Sequence, residues 1–152
     1  MNTYLALLVT FLALCGSVSA GNTAQVSAQS LETIELDMPD IGSWNLSTGE
    51  NIKNTSFAAR GNVDFDIYAR EDGGDGKMQS GSKAMTNAIK IETTNFLKTL
   101  SGADQQIAGT ISVGSHSWPM RFFLLLYKQT LTYNDPAGSY SMVITYTGQK
   151  HV

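Results

Sequence analysis

The sequence predicts an all-β protein: an Ig-like antiparallel β-sandwich that follows an N-terminal signal peptide. Three observations carry this. Val63, Phe65, Ile67 and Ala69 alternate with Asp64, Asp66, Tyr68 and Arg70, the period-two pattern of a strand with one face in water. Other short apolar runs recur along the chain, separated by Gly, Pro, Asn and Asp turn chemistry, as in a sandwich. No βαβ alternation is present, which argues against a parallel sheet.

The first segment is a targeting signal. Met1–Tyr4 is polar, Leu5–Leu14 is apolar, and Val18-Ser19-Ala20 places small residues where a signal peptidase reads. The apolar run falls short of the ~20 residues that span a bilayer. Residues 1–20 are therefore read as a signal peptide cleaved after Ala20. The n-region has no Lys or Arg, so a retained anchor is the rival. Cys15 is the only cysteine. Leu12–Gly16 has the outline of a lipoprotein site, but Leu14 stands where a small residue is wanted, so Cys15 is expected to leave with the signal. The mature chain then has no disulfide and must rely on its core. The expected location is extracellular or at the cell surface.

Residues 21–30 are polar and read as a flexible leader; residues 31–152 suit one sandwich domain. The net charge of −3 comes with no basic patch, so nucleic acid is not an expected partner. No second long apolar segment follows, so no transmembrane segment is expected in the mature chain.

The strands then follow in order. Leu31–Leu36 is a strand ended by Met38-Pro39-Asp40. Ile41–Leu46 is a strand with Trp44 and Leu46 on one face and Asn45 opposite, in water. Ser47–Asn51 is a loop, Thr55–Arg60 a short strand around Phe57 and Ala59, and Gly61-Asn62 a turn. Val63–Glu71 is the cleanest strand, since a one-residue slip would bury Asp64 and Asp66. Asp72–Ser82 is a glycine-rich loop and Ile89–Glu92 a strand. Phe96, Leu97 and Leu100 fit a helical turn or a short strand. Gln106–Val113 is a strand and Gly114–Trp118 a loop. Arg121–Thr147 reads as a hairpin of two long strands joined by Asn134–Gly138. Phe122, Leu124 and Leu126 share one face of the first; Phe123, Leu125 and Tyr127 share the other. Apolar on both faces, that strand is expected to be central. Tyr140, Met142, Ile144 and Tyr146 share a face of the second. Val63, Phe65, Ile67, Leu124 and Ile144 are the expected core.

Little in the chain suggests catalysis, and no enzyme is expected. His116 and His151 are the only histidines, one in a Ser/Gly loop and one penultimate. Neither setting suits a Ser–His–Asp arrangement or a zinc site. Asp64 and Asp66 share a strand face, either as an acid/base pair or, more simply, as its solvated side. Glu71, Asp72 and Asp75 offer hard oxygen ligands on a glycine-rich loop, a weak Ca²⁺ candidate against the reading of a plain charged loop. No other cofactor is implied. Asn45-Leu46-Ser47 and Asn54-Thr55-Ser56 are N-glycosylation sequons. Trp44, Trp118, Tyr68 and Tyr133 could form a sugar-stacking platform. Trp118 is the better ligand-facing candidate, its alternative being a plug at a sandwich end.

Two pieces together carry a resemblance: Gly42-Ser43-Trp44-Asn45-Leu46 with Thr48-Gly49-Glu50-Asn51, and Asp135-Pro136-Ala137-Gly138-Ser139-Tyr140 with Met142–Thr147. Ala84–Ile89 fits the usual middle strand. The chain resembles secreted, surface-associated β-sandwich proteins of methanogenic archaea and is more distantly similar to WxL-type cell-surface domains. It departs from the WxL pattern at Trp118-Pro119-Met120, where a second W-x-L would stand, so peptidoglycan binding is not implied. The resemblance implies an envelope role and supplies no catalytic residues.

The functional expectation is a structural or adhesive component of the cell surface. Its partners would be other copies of itself or surface proteins and glycans; Leu31–Leu36 is either the first strand of its own sandwich, the simpler reading, or a strand added to a partner's sheet edge. The alternative is an extracellular glycan- or ligand-binding module. A structural subunit should present an open sheet edge or an apolar patch; a binding module should present an aromatic-lined cleft.

Overall fold

The computed structural model describes residues 28–112 and 120–152. The expected signal peptide with Cys15, most of the expected leader, and the segment bearing His116 and Trp118 lie outside the described residues. The strands are β1 (Ile34–Asp37), β2 (Gly49–Gly61), β3 (Phe65–Glu71), β4 (Gln79–Ser80), β5 (Lys83–Ala84), β6 (Lys90–Glu92), β7 (Leu97–Thr99), β8 (Gln105–Ile111), β9 (Arg121–Leu131) and β10 (Ile144–Lys150). One sheet has the order β1-β2-β9-β6-β7, the facing sheet β10-β3-β8, and β4-β5 is a small hairpin. Every pairing is antiparallel, and the described residues contain no helix. The fold is an all-β sandwich.

The core lies between the two larger sheets. On β9 the odd positions point inward, and Leu125 and Tyr127 are fully buried. Phe123 stacks on Phe57 of β2, with ring centroids 4.9 Å apart and planes 14° from parallel. Phe65, Ile67 and Ala69 of β3 meet them from the facing sheet, with Ile107 and Ile111 of β8 beside them. Both flanks are closed by side-chain fit. A Cβ on Gly148 of β10 would lie 2.5 Å from Ile34 Cγ2, so glycine lets β1 approach β10. On the other flank the Thr93 hydroxyl donates to the Ile107 carbonyl at 2.6 Å.

Several expectations hold. β3 has its apolar face inward, β9 is central, and Ile89–Glu92 contains β6. Others need correction. The closing hairpin is absent: β9 and β10 belong to different sheets, and β10 pairs with β3. The cause lies in residues 132–143, too long a connection for the 2–5-residue loops typical of hairpins. The Asp135 carboxylate accepts hydrogen bonds from Thr132 N–H at 2.7 Å, Thr132 Oγ1 at 2.8 Å and Thr86 N–H at 2.6 Å. The chain leaving β9 is thereby turned, and it crosses to the facing sheet. Tyr140 and Met142 precede β10 instead of lying in it. Ile41–Leu46 is extended but pairs with no strand, although Asn45 is exposed and Trp44 packs on the core. Thr55–Arg60 is only the end of the long β2, which starts at Gly49 inside the expected loop.

Two core assignments change. Leu124 is 54 % exposed, because the facing sheet covers only the inner side of β9. Val63 is half-buried and precedes β3. Asp66 is the converse case: it is buried, not solvated. The β3–β8 ladder shifts register between Phe65 and Ile67 and again at Tyr68, giving β8 extra residues. A bulge leaves a backbone N–H without its ladder partner. Asp66 Oδ1 accepts that donor, Thr110 N–H, at 2.7 Å, while Oδ2 lies 2.8 Å from His151 Nδ1.

Phe65→Ala should cost ~3–5 kcal/mol in urea unfolding. Leu124→Ala should stay within ~0.5 kcal/mol. Asp66→Ala should cost ~1–3 kcal/mol, since it strands a buried N–H. A harmless Asp66→Ala would refute the bulge assignment. The pH dependence of Asp135 can be stated with its sign. Its partial burial raises the pKa, but the Thr132 and Thr86 hydrogen bonds outweigh that and hold it down, from 3.8 to about 2. A depressed carboxylate contributes stability that is complete above its ordinary value and lost as pH falls through the folded one. Unfolding midpoints of wild type and Asp135→Asn should differ most above pH 3.8 and converge toward pH 2.

Candidate assembly surface

The residues singled out for metal binding are separated by their partners. Glu71 is buried, and its carboxylate accepts from Gly73 N–H and from Gly76 N–H at 3.2 Å. The Asp72 carboxylate accepts from the Thr145 hydroxyl at 2.9 Å and lies 3.6 Å from Arg70 Nε. Asp75 caps Lys77 N–H at 3.0 Å. The glycines serve close backbone packing. Gly76 has φ +73°, and a Cβ there would lie 2.0 Å from the Leu100 carbonyl oxygen. Among the described residues no group of three or more His, Cys, Asp or Glu side chains is placed to hold a metal ion.

The other sequence candidates also separate. Asp64 precedes β3, and its carbonyl accepts His151 N–H at 2.8 Å. Asp66 and His151 form a pair that ties the C-terminal end to the bulge, as above. Asn45 and Asn54 are both exposed. Asn45 is in the extended segment before β2; Asn54 is on β2 itself. Tyr133 is 94 % exposed on the β9–β10 connection, while Trp44 packs on the core. Trp118 lies outside the described residues.

What the structure brings together is an apolar outer face on the five-stranded sheet. Phe122, Leu124 and Leu126 follow one another along the outer side of β9. Phe122 is 72 % exposed and Leu124 54 %. Register places their neighbours. On the β2 side Ala58 is opposite Phe122, Ser56 opposite Leu124, and Asn54 opposite Leu126. On the other side Leu126 faces Glu92 of β6, which faces Leu97 of β7. Ile52 of β2 and Leu97 flank the column, 49 % and 57 % exposed. The Lys128–Glu92 ion pair sits at the same level.

This face adjoins an open edge. β2 pairs with β9 from Gly49 to Ala59, but β1 covers only Ala58 to Gly61. Near Gly49 the Asn51 side chain substitutes for a strand neighbour: Nδ2 donates to Ser47 O at 2.7 Å, and Oδ1 accepts Ser47 N–H at 2.9 Å. Among the described residues, Ile52 to Phe57 has β9 on one side and no strand on the other. Leu31–Leu36 follows the simpler of its two readings. Its Ile34–Leu36 part pairs within the chain, against Ala59–Gly61.

Sequence reading missed this surface, though its signal was there. Apolar residues on both faces of β9 implied burial on both sides, and only one side has a covering sheet. The chain matches no protein-family model, no curated protein and no solved structure.

If the carboxylates at Glu71, Asp72 and Asp75 serve only the backbone and their neighbours, excess calcium should leave the thermal midpoint unchanged. A calcium-dependent rise, lost in Asp75→Asn, would restore the metal reading.

Proposed function

We propose that the chain is exported through Met1–Ala20 and acts as a non-enzymatic structural or adhesive component of the cell surface. Copies of it would join through the outer face and open edge of the five-stranded sheet. The observation that carries this reading is the outer column of β9, exposed Phe122 and Leu124 with half-buried Leu126, together with exposed Ile52 and Leu97 on the neighbouring strands. Single exposed apolar residues are ordinary, whereas a contiguous set on a sheet face marks an interface.

Magnitudes favour a symmetric contact. Full burial of one such side chain contributes ~1.5–3 kcal/mol. Association costs an estimated ~4–15 kcal/mol. One column against a polar surface does not clear that cost with certainty of design; two columns packed together, as in stacked sheets, come much closer. The open stretch Ile52 to Phe57 supports a lateral contact by strand addition, because main-chain donors and acceptors there face no strand. A glycan on Asn54 would sit on the apolar face beside Leu126 and oppose assembly, whereas one on Asn45 would not.

Light scattering of the exported protein should give a mass that rises with concentration. Leu124→Lys should remain folded and monomeric. On assembly, amides in residues 52–57 should gain hydrogen-exchange protection. Intact mass should place the first residue at Gly21. A wild-type protein that stays monomeric at high concentration overturns the assembly; a lipid on Cys15 or a retained Met1 overturns the export route.

A further inference from the structure

A second surface, distinct from the apolar face, is a cleft of about 1050 Å³ at the end of the sandwich where β9 finishes and β10 begins. Its walls are the extended segment before β2 and the β9–β10 connection. Its apolar lining includes Trp44, Met78, Met85 and Met142. Thioethers and an indole make an adaptable surface suited to apolar ligands of irregular shape.

Polar side chains such as Ser43, Asn45, Thr48, Ser139 and Ser141 also line it, and one polar contact joins the two sheets. Tyr127 of β9 and Tyr146 of β10 both line the cleft, and their hydroxyls hydrogen-bond to each other across the two sheets. Two hydroxyls carry two protons, and one bond between them uses one. The second has no acceptor among the described residues. Burial pushes both phenols up in pKa, so neither ionises near neutral pH and both remain donors. Tyr127 is fully buried and Tyr146 half-buried, so it is the Tyr146 hydroxyl that offers a ligand the remaining hydrogen bond to an acceptor atom.

Charge narrows the ligand further. The described lining residues include no lysine, arginine or histidine. Lys53, opposite Tyr127 in the ladder, is not among them. The two lining carboxylates are already engaged, Asp135 as described and Asp40 by Gly42 N–H at 3.0 Å. An anionic headgroup would thus meet two carboxylates and no cation. We propose that this cleft binds a small, neutral, largely apolar molecule that presents a carbonyl, ether or hydroxyl oxygen to the Tyr127–Tyr146 hydroxyl pair.

The test uses Nile red, a neutral dye with a carbonyl oxygen, on the full mature chain. Saturable one-to-one binding with a rise in dye fluorescence is expected. Decanol should displace it, and decanoate at the same concentration should not. Tyr146→Phe alone would leave the buried Tyr127 hydroxyl without its partner, so the informative variant is Tyr127→Phe with Tyr146→Phe. Loss of a neutral hydrogen bond should weaken dye binding roughly three- to tenfold. The change removes donor and acceptor together, so the fold should tolerate it, and the circular-dichroism melt checks this. Met142→Arg, which adds a cation at the cleft, should shift preference toward decanoate. Leu124→Lys, which disrupts the assembly face, should leave dye binding unchanged. The proposal fails if wild type shows no saturable binding, or if decanoate competes as well as decanol. It also fails if the double variant binds as wild type does, or if Leu124→Lys abolishes binding.

Discussion

The ladder between β2 and β9 is the constraint on which the rest of the structure depends. It is continuous from Gly49↔Leu131 to Ala59↔Arg121. Its register fixes the parity of both strands, so Phe57 meets Phe123 on the inner side and Ser56 meets Leu124 on the outer. Slipping the pairing by one residue would turn Leu125 and Tyr127 out and Leu124 and Lys128 in. The short strands join this pair: β1 covers one end of β2, and β6 with β7 extends β9 on its other side. With a three-stranded sheet facing five, the inner side is covered and the outer side is not.

Polar groups inside the sandwich follow one rule, that buried backbone donors and acceptors must find partners. Asp66 satisfies the bulge in β8. Glu71 satisfies the tight turn after β3. Buried Gln129 donates to Asn87 O at 3.0 Å, and Asn87 Nδ2 donates to Thr130 O at 3.1 Å, which ties the chain before β6 to β9. These side chains look chemical in the sequence and act as replacements for missing backbone partners. The tyrosine pair differs, because its bond joins two side chains and leaves a proton over.

The legible part of the fold was what period-two patterning can report. The inward apolar face of β3, the central place of β9 and the β6 strand rest on local signals and were legible. The misreadings were non-local. Nothing in Arg121–Thr147 states that β10 pairs with β3, because that depends on Asp135 reaching Thr86. Nothing in the alternation of Asp64 and Asp66 reveals a bulge in a strand some forty residues away. Ile41–Leu46 had strand-like faces but pairs with no strand, and the turn after it is held by Asn51 on Ser47, a contact the alternation does not report. Of the sites, the exposure of Asn45 and Asn54 was legible, whereas the hydrogen bonds that engage Glu71, Asp72 and Asp75 were not. The apolar face and the cleft needed the topology, which decides whether an apolar residue is covered.

β9 contributes to both proposed contacts, and its geometry keeps them separable. Tyr127 points inward to the floor of the cleft, and Leu124 and Leu126 point outward to the sheet face. Successive strand side chains stand on opposite sides of the pleat, so an outer substitution need not disturb the inner one. The two contacts differ in energetic character as well. The outer face has no directional group along Phe122, Leu124 and Leu126, so association there would depend on area and shape. The cleft mixes apolar and directional polar groups, the Tyr127–Tyr146 pair among them, and so selects among ligands by whether those donors are met. Assembly through the outer face would leave the cleft open. A surface array built this way would therefore display one ligand cleft per subunit.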